Sequence, residues 1–308
     1  MSTESVISAE LTNYGRIVGL FTLGYCIPGL ATVATLLRSE IKYNNFNAKP
    51  FTILIVNSLI ADVVFLLLFI FYAAPCDLLV DKVYGSIMRT LAGFCQSYIF
   101  SVSLFINMVI TANRFTTIFY SKAADRIFDK RGTHFIAFAT WIGAALSIAV
   151  LDVWLKGCSY FYDEKQFIFY ATCDTTRDNV LLSAVPVLSL GVMGILYFMC
   201  LLKLKYENSK VSNETIVRNM AKKRMKVFWQ AFGIWASMLM NVLSYHFISP
   251  YMKHILVNGI VSVVLILCPT YGSCVIILIF DKKMRQCLQS IYKSNVIHTQ
   301  TAMTAAVR

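Results

Sequence analysis

The sequence predicts an all-α membrane protein: a bundle of seven transmembrane helices with the N-terminus outside, the C-terminus inside and a short amphipathic interfacial helix after the last crossing. Three observations carry that reading. Of 308 residues, 57% are hydrophobic and only 14% charged, and the mean hydropathy is +0.64, which excludes an ordinary soluble globule. Seven apolar runs approach or exceed the ~20 helical residues needed to cross about 30 Å of hydrocarbon. Lys and Arg divide unevenly between alternate sides of those runs, 21 of the 28 on one side and 7 on the other. The richer side is therefore cytoplasmic, and the number of crossings must be odd.

The runs cover residues 17–37, 51–74, 90–113, 135–151, 179–202, 227–249 and 255–280, the fourth being the shortest. They are continuous rather than alternating, and a backbone in lipid must satisfy its own hydrogen bonds, so helices are favoured over a barrel. Glu4 and Glu10 precede the first run and no basic segment does, so it reads as a retained helix behind a short outer tail over 1–14. One bundle then spans 15–291, followed by a cytoplasmic tail over 292–308. Two connections are long: an aromatic outer loop over 152–178 and a basic inner loop over 203–226. Beside apolar helices, the net charge of +12 reads as topology and attraction to anionic lipid, not as a nucleic-acid surface. The sequon Asn213-Glu214-Thr215 falls on the inner side, where it is silent. After residue 280, "DKKMRQCLQSIYK" sets Met284, Cys287, Leu288 and Ile291 on one helical face, with Cys287 a lipidation candidate.

Nine cysteines divide by side. Cys76, Cys158 and Cys173 lie in or beside outer loops and Cys95 near the outer end of the third run, so one disulfide is expected among these four. A bridge from the second outer loop to the first loop or the third run ranks ahead of Cys158 to Cys173, and the pairing stays open at this point. In the third run Gln96, Ser103, Asn107, Thr111 and Arg114 recur at spacings of seven, four, four and three, which keeps them on one helical stripe. Gln96 and Arg114 are five turns apart, about 27 Å along the axis. Lipid offers polar groups no partners, so the stripe must face the other helices. Asp62 stands within the second run, where a carboxylate is costly unless paired, hydrated or protonated, and it is a functional candidate for that reason.

"NSLIAD" at Asn57 to Asp62, "NRF" at Asn113 to Phe115, Trp141, Pro186 and "CPTY" at Cys268 to Tyr271 resemble landmark positions of rhodopsin-like G-protein-coupled receptors. "ANRF" followed by "AADRIFDKRGT", and the outer "CSYFYDEKQFIFYATC", are more closely similar to the nematode serpentine chemoreceptors of class X. The resemblance extends over almost the whole chain. It implies that Asp62 and Ser103 correspond to the carboxylate and serine of a buried sodium or proton site, and Arg114 to the arginine of the Asp-Arg-Tyr switch. Trp141 corresponds to the packing tryptophan of the fourth helix and Pro269 to the proline of Asn-Pro-x-x-Tyr. Several positions depart from the pattern. Asn113 replaces the acid beside the switch arginine, so the usual neighbouring salt bridge cannot form. Cys268 replaces the asparagine before Pro269 and Tyr271 comes one residue early, which counts against a sodium ion at Asp62 and against the usual tyrosine switch. Arg89 stands roughly where the third-helix disulfide cysteine is expected.

What the resemblance implies is a chemosensory receptor of the plasma membrane, in a sensory cilium, that takes an odorant-like small molecule outside and a heterotrimeric G protein inside. Gln96, Ser97, Phe100 and Ser101 on the third run, Asn241 and Tyr245 on the sixth and Asn258 on the seventh are the ligand-binding candidates, in a mostly apolar pocket. Asp62, Ser103, Asn107, Asn113, Arg114, Pro269 and Tyr271 form the candidate switch. Arg114 with Lys222, Lys223 and Arg224 is the coupling candidate. The alternative class is a seven-helix ligand-gated channel or transporter, against which Asp62 stands as a lone intramembrane charge. His134, His246, His254 and His298 are widely separated, so neither a metal centre nor an enzyme active site is expected, and no cofactor.

Overall fold

The computed structural model describes residues 3–43, 50–79, 84–154, 156–209, 215–248 and 251–280. Helix α1 (Thr3–Tyr43) begins well ahead of the first apolar run. Helix α2 (Pro50–Leu68) passes through a widened π turn, Phe69–Ala73, into α3 (Ala74–Leu79), and the three make one crossing. The turn has a local cause. Pro75 has no N–H to give the carbonyl four residues earlier, and that carbonyl, Phe71 O, accepts instead from the Tyr84 hydroxyl at 3.0 Å. The third crossing is α4 (Ser86–Phe119), followed by the short α5 (Ser121–Ile127). Helix α6 (Lys130–Leu146) starts at Asp129, whose carboxylate accepts from the Gly132 amide at 2.6 Å as an N-cap, and a second π segment, Ser147–Trp154, extends it outward. Helices α7 (Thr176–Ser209), α8 (Thr215–Leu243, with a π turn over Ser244–Ile248) and α9 (Ile255–Phe280) complete the bundle.

Among the described residues six of the crossings, all but α8, are by themselves long and apolar enough to traverse a membrane. Helix α8 carries "AKKRMK" in its inner part, which lowers its hydropathy, yet it packs between α7 and α9 and against α4 as the seventh member of the bundle. Helix α4 is the central post, with α2, α6, α7 and α8 around it and the outer hairpin at its end. One apolar core runs the length of the bundle, from Val18 and Tyr162 near one end to Leu204 and Phe228 near the other. On α7, Val185, Leu188, Val192 and Ile195 are exposed at three- and four-residue spacings, the lipid side of that helix.

The aromatic outer loop adds one small strand pair to the all-α bundle. It contains an antiparallel hairpin, β1 (Ser159–Asp163) and β2 (Ile168–Thr172), in register from Ser159↔Thr172 to Asp163↔Ile168. That register sets the flanking residues opposite each other, and Cys158 and Cys173 form the disulfide. The bridge expected from this loop to the first outer loop or the third run is thereby overturned: Cys76 and Cys95 carry free thiols. The interfacial helix expected after residue 280, with Cys287, lies outside the described residues, as does the 292–308 tail.

Candidate functional site

Two clusters, one near each end of α4, bring the singled-out residues together. At the outer end the hairpin is seated on the bundle. Gly93 of α4 leaves no room for a side chain against the backbone of Tyr160 and Phe161, so the strand lies directly on the helix. Arg89, one turn earlier, donates from Nε to Tyr162 O at 2.7 Å and holds its guanidinium 5.1 Å from the Phe161 ring centre. Where the receptor pattern leads one to expect a disulfide from this helix, an arginine clamps the loop without covalent linkage. Strand alternation then sends Tyr160 and Tyr162 inward. Tyr160 donates to Asp152 at 3.0 Å and Tyr162 to Asp77 at 2.6 Å, and burial followed by the adjacent carboxylate raises both phenols above their usual pKa, so both remain donors. Tyr162 also packs on Phe169 at 4.8 Å and on Tyr72 at 6.0 Å between ring centres, with Phe169 against Phe69 at 5.4 Å. Burying such rings contributes about 1.5–3 kcal/mol each, which makes the hairpin a packed part of the outer core.

Of the seven residues proposed for ligand contact, two meet at one cavity. Asn241 and Tyr245, with Ser244, Ser262, Leu265 and Ile266, border a cavity of about 10 Å³ between α8 and α9, room for roughly one water. It sits where Pro269 leaves the carbonyl of Leu265 unserved, and Asn241 donates to the neighbouring carbonyl of Ile266 at 3.0 Å. On α4, Ser97 donates to Gln96 at 3.2 Å, and Phe100 packs with Leu104, Leu190, Met193, Met238 and Val242. Ser101 is half-buried and Asn258 buried.

Farther in, the polar stripe of α4 faces its neighbours. Asn107 is buried, donating from Nδ2 to Ser103 O at 2.9 Å and towards Met238 Sδ at 3.3 Å; Thr111 donates to Asn107 O at 2.8 Å. Asp62 accepts from Thr270 at 3.0 Å while its second carboxylate oxygen, Oδ2, has no partner among the described residues. The hydroxyl that serves Asp62 thus comes from α9 and not from Ser103. Thr270 was not singled out, although it stands beside Pro269 in "CPTY". Tyr271 points to α1, where its hydroxyl donates to Tyr25 O, its ring lies 4.4 Å from that of Tyr25, and Gly29 leaves the space it occupies. Trp141 of α6 donates to Asn57 of α2 at 3.2 Å, so two landmark positions of the sequence pattern bond each other.

At the inner end Arg114 has no acid beside it, since Asn113 follows a different pattern and is buried. Its guanidinium lies over the ring of Phe51, 3.8 Å from the centre, at the start of α2. Nε and one terminal nitrogen of Arg114 are buried without a hydrogen-bond partner among the described residues. Tyr197 and Cys200 of α7 lie close enough to sense its charge. Phe51 escaped the sequence reading because an aromatic residue opening an apolar run carries no distinguishing signal. Arg224, on the inner part of α8, pairs with Glu207 of α7 at 3.2 Å, and Lys203 reaches the same carboxylate at 3.5 Å. Lys222 and Lys223 continue that helix one turn or less before Arg224.

A seven-helix membrane bundle with a central polar helix, a half-buried arginine at its basic end and a hairpin across the other defines the serpentine receptor architecture. The chain belongs to the family described as serpentine type 7TM GPCR chemoreceptor Srx, whose model matches residues 26–281. It is a multi-pass membrane protein and a GPCR-type chemoreceptor in class. Among solved structures it is similar to squid rhodopsin, with a TM-score of 0.68 over 92% of this chain and 80% of that one. At 15% identity the likeness speaks for the fold alone. A comparison with curated protein sequences gives no match.

Proposed function

We propose that the chain is a ligand-operated receptor in which a small external molecule, bound in the outer part of the bundle, biases Arg114 and thereby activates a heterotrimeric G protein at the inner face. One observation carries the reading: a half-buried arginine at the inner end of the central helix, its guanidinium stacked on Phe51 and two of its nitrogens buried without acceptors among the described residues. A buried donor left unpaired costs about 1–3 kcal/mol, so any inner partner that supplies an acceptor draws Arg114 away from Phe51. Ligand and partner then favour the same state, which is the requirement for coupling two sites. Gln96, Ser97 and Phe100, below the hairpin, are the outer contacts, and Lys222, Lys223 and Arg224 are the inner electrostatic ones. By this reading the receptor resides in the plasma membrane of a sensory cilium, where a chemoreceptor meets external cues.

The test is nucleotide exchange on G protein by the chain in vesicles, with volatile and water-soluble cues added outside. Cue-dependent exchange is expected. Exchange that no cue alters, together with cue-evoked current in cells lacking functional G proteins, replaces this reading with a channel.

A further inference from the structure

The inner connection between α4 and α6 carries Lys122 and Arg126 on α5 and Lys130 and Arg131 at the start of α6, four cations within ten residues. All four are exposed, and among the described residues none of them enters an ion pair. The inner ends of α7 and α8 differ, because there Glu207 takes up both Lys203 and Arg224. Two acids share the connection: Asp129 accepts from the Gly132 amide as the N-cap of α6, and Asp125 is exposed, so four cations less two acids leave a net charge of +2. The platform is held in place, since α5 packs on α4 and Ala124 and Phe128 are buried. Its level in the membrane follows from α6. Arg131, Phe135, Phe138, Ile142 and Leu146 recur at spacings of four, three, four and four, which keeps them on one helical face, and all five are exposed. The four apolar members mark the lipid side of that helix. Arg131 continues the same stripe about 6 Å farther along the axis than Phe135, where hydrocarbon gives way to headgroups. A guanidinium that ends a lipid-facing stripe, with further unpaired cations beside it, complements an anionic headgroup whose acyl chains lie along that stripe.

We propose that Arg126 and Arg131, with Lys122 and Lys130 around them, form a docking surface for a polyphosphorylated lipid headgroup of the inner leaflet. Phosphomonoesters suit it better than a lone phosphodiester. A guanidinium binds phosphate oxygens two at a time, and several cations in one place neutralise several charges on one headgroup. Phe135 and Phe138 take the acyl chain, so the partner is a lipid and not a free inositol phosphate. Topology asks only for cations somewhere on the inner side. It does not ask that one of them prolong the lipid face of a helix, and a test of position separates the two. The inference stands apart from the receptor reading: it needs neither an external cue nor a G protein, and either can fail without the other.

The experiment uses the full chain in nanodiscs of neutral phosphatidylcholine, doped with phosphatidylinositol 4,5-bisphosphate or, at equal total headgroup charge, with phosphatidylserine. Native mass spectrometry of the released chain counts the lipid molecules it retains. The expected result is saturable retention of the bisphosphate lipid, with phosphatidylserine held at least tenfold more weakly. A cation close to anionic lipid is worth about fivefold in affinity, so Arg131→Gln weakens retention about fivefold and Arg126→Gln with Arg131→Gln about 25-fold. Arg131→Lys keeps most of the retention, which separates lost charge from lost fold. Lys205→Gln makes the same change of charge at an exposed position near the inner end of α7 and leaves retention as it was. Soluble inositol 1,4,5-trisphosphate added to neutral nanodiscs is not retained. Equal retention of the two lipids, an equal loss in Lys205→Gln and Arg131→Gln, undiminished retention in the double variant, or retention of the soluble headgroup at comparable concentration overturns the inference.

Discussion

Replacing Phe51 with leucine removes the π face beneath Arg114 while leaving an apolar side chain at the inner end of α2. The contact is close, 3.8 Å from guanidinium carbon to ring centre, and two of the guanidinium nitrogens are shielded from water. A desolvated cation–π contact contributes about 2 kcal/mol, against roughly 0.5–1 kcal/mol at an exposed site. If Phe51 restrains Arg114 only at rest, that loss falls wholly on the resting state. At 1.4 kcal/mol per tenfold, the ratio of active to resting receptor rises about 30-fold. A basal active population of about 0.1% then becomes about 3%, within the range in which minor states are seen by function. The assay is ligand-independent nucleotide exchange on G protein in vesicles, normalised to folded receptor. Phe51→Trp, with the strongest π face, should hold basal exchange at or below the wild-type level. Basal exchange unchanged or lowered in Phe51→Leu at equal folded amounts would falsify the restraint.

Other expectations concern separate parts of the chain. Arg114→Ala should abolish cue-dependent exchange while cell-surface labelling stays near wild type; signalling retained in that variant removes the switch role. Gln96→Leu should shift the dose response to an activating cue, and an identical curve excludes Gln96 from the ligand site. Thr270→Val removes the hydroxyl that serves Asp62 and should lower stability by about 1–3 kcal/mol, read as a fall in the unfolding midpoint in nanodiscs. Cys158→Ser opens a bridge of sequence separation 15 and should cost about 3 kcal/mol by loop-closure entropy, whereas Cys95→Ser, at a free exposed thiol, should leave the midpoint unchanged.

The crossings and the stripe of α4 were legible because both are one-dimensional facts. A run must be long enough to cross hydrocarbon, and residues three, four and seven apart must share a face, whatever the neighbours are. Charge asymmetry likewise needs no coordinates, because it counts side chains on either side of each run. That Asn107 and Thr111 are buried followed from the same spacing. What the chain order could not carry is which side chains meet from different helices. Asp62 accepts from Thr270, 208 residues away, and Arg89 from α4 holds Tyr162, 73 residues away. Such pairs depend on how each helix is rotated and offset along its axis, and spacing within one helix is silent on both. The disulfide shows the same division. Four outer cysteines were visible, but the hairpin register that sets Cys158 opposite Cys173 comes from Tyr160 and Tyr162 burying their rings against α4 and α3. Asn113 in place of an acid announced that Arg114 needed another restraint, and only the packing of α2 against α4 supplied Phe51 as that partner.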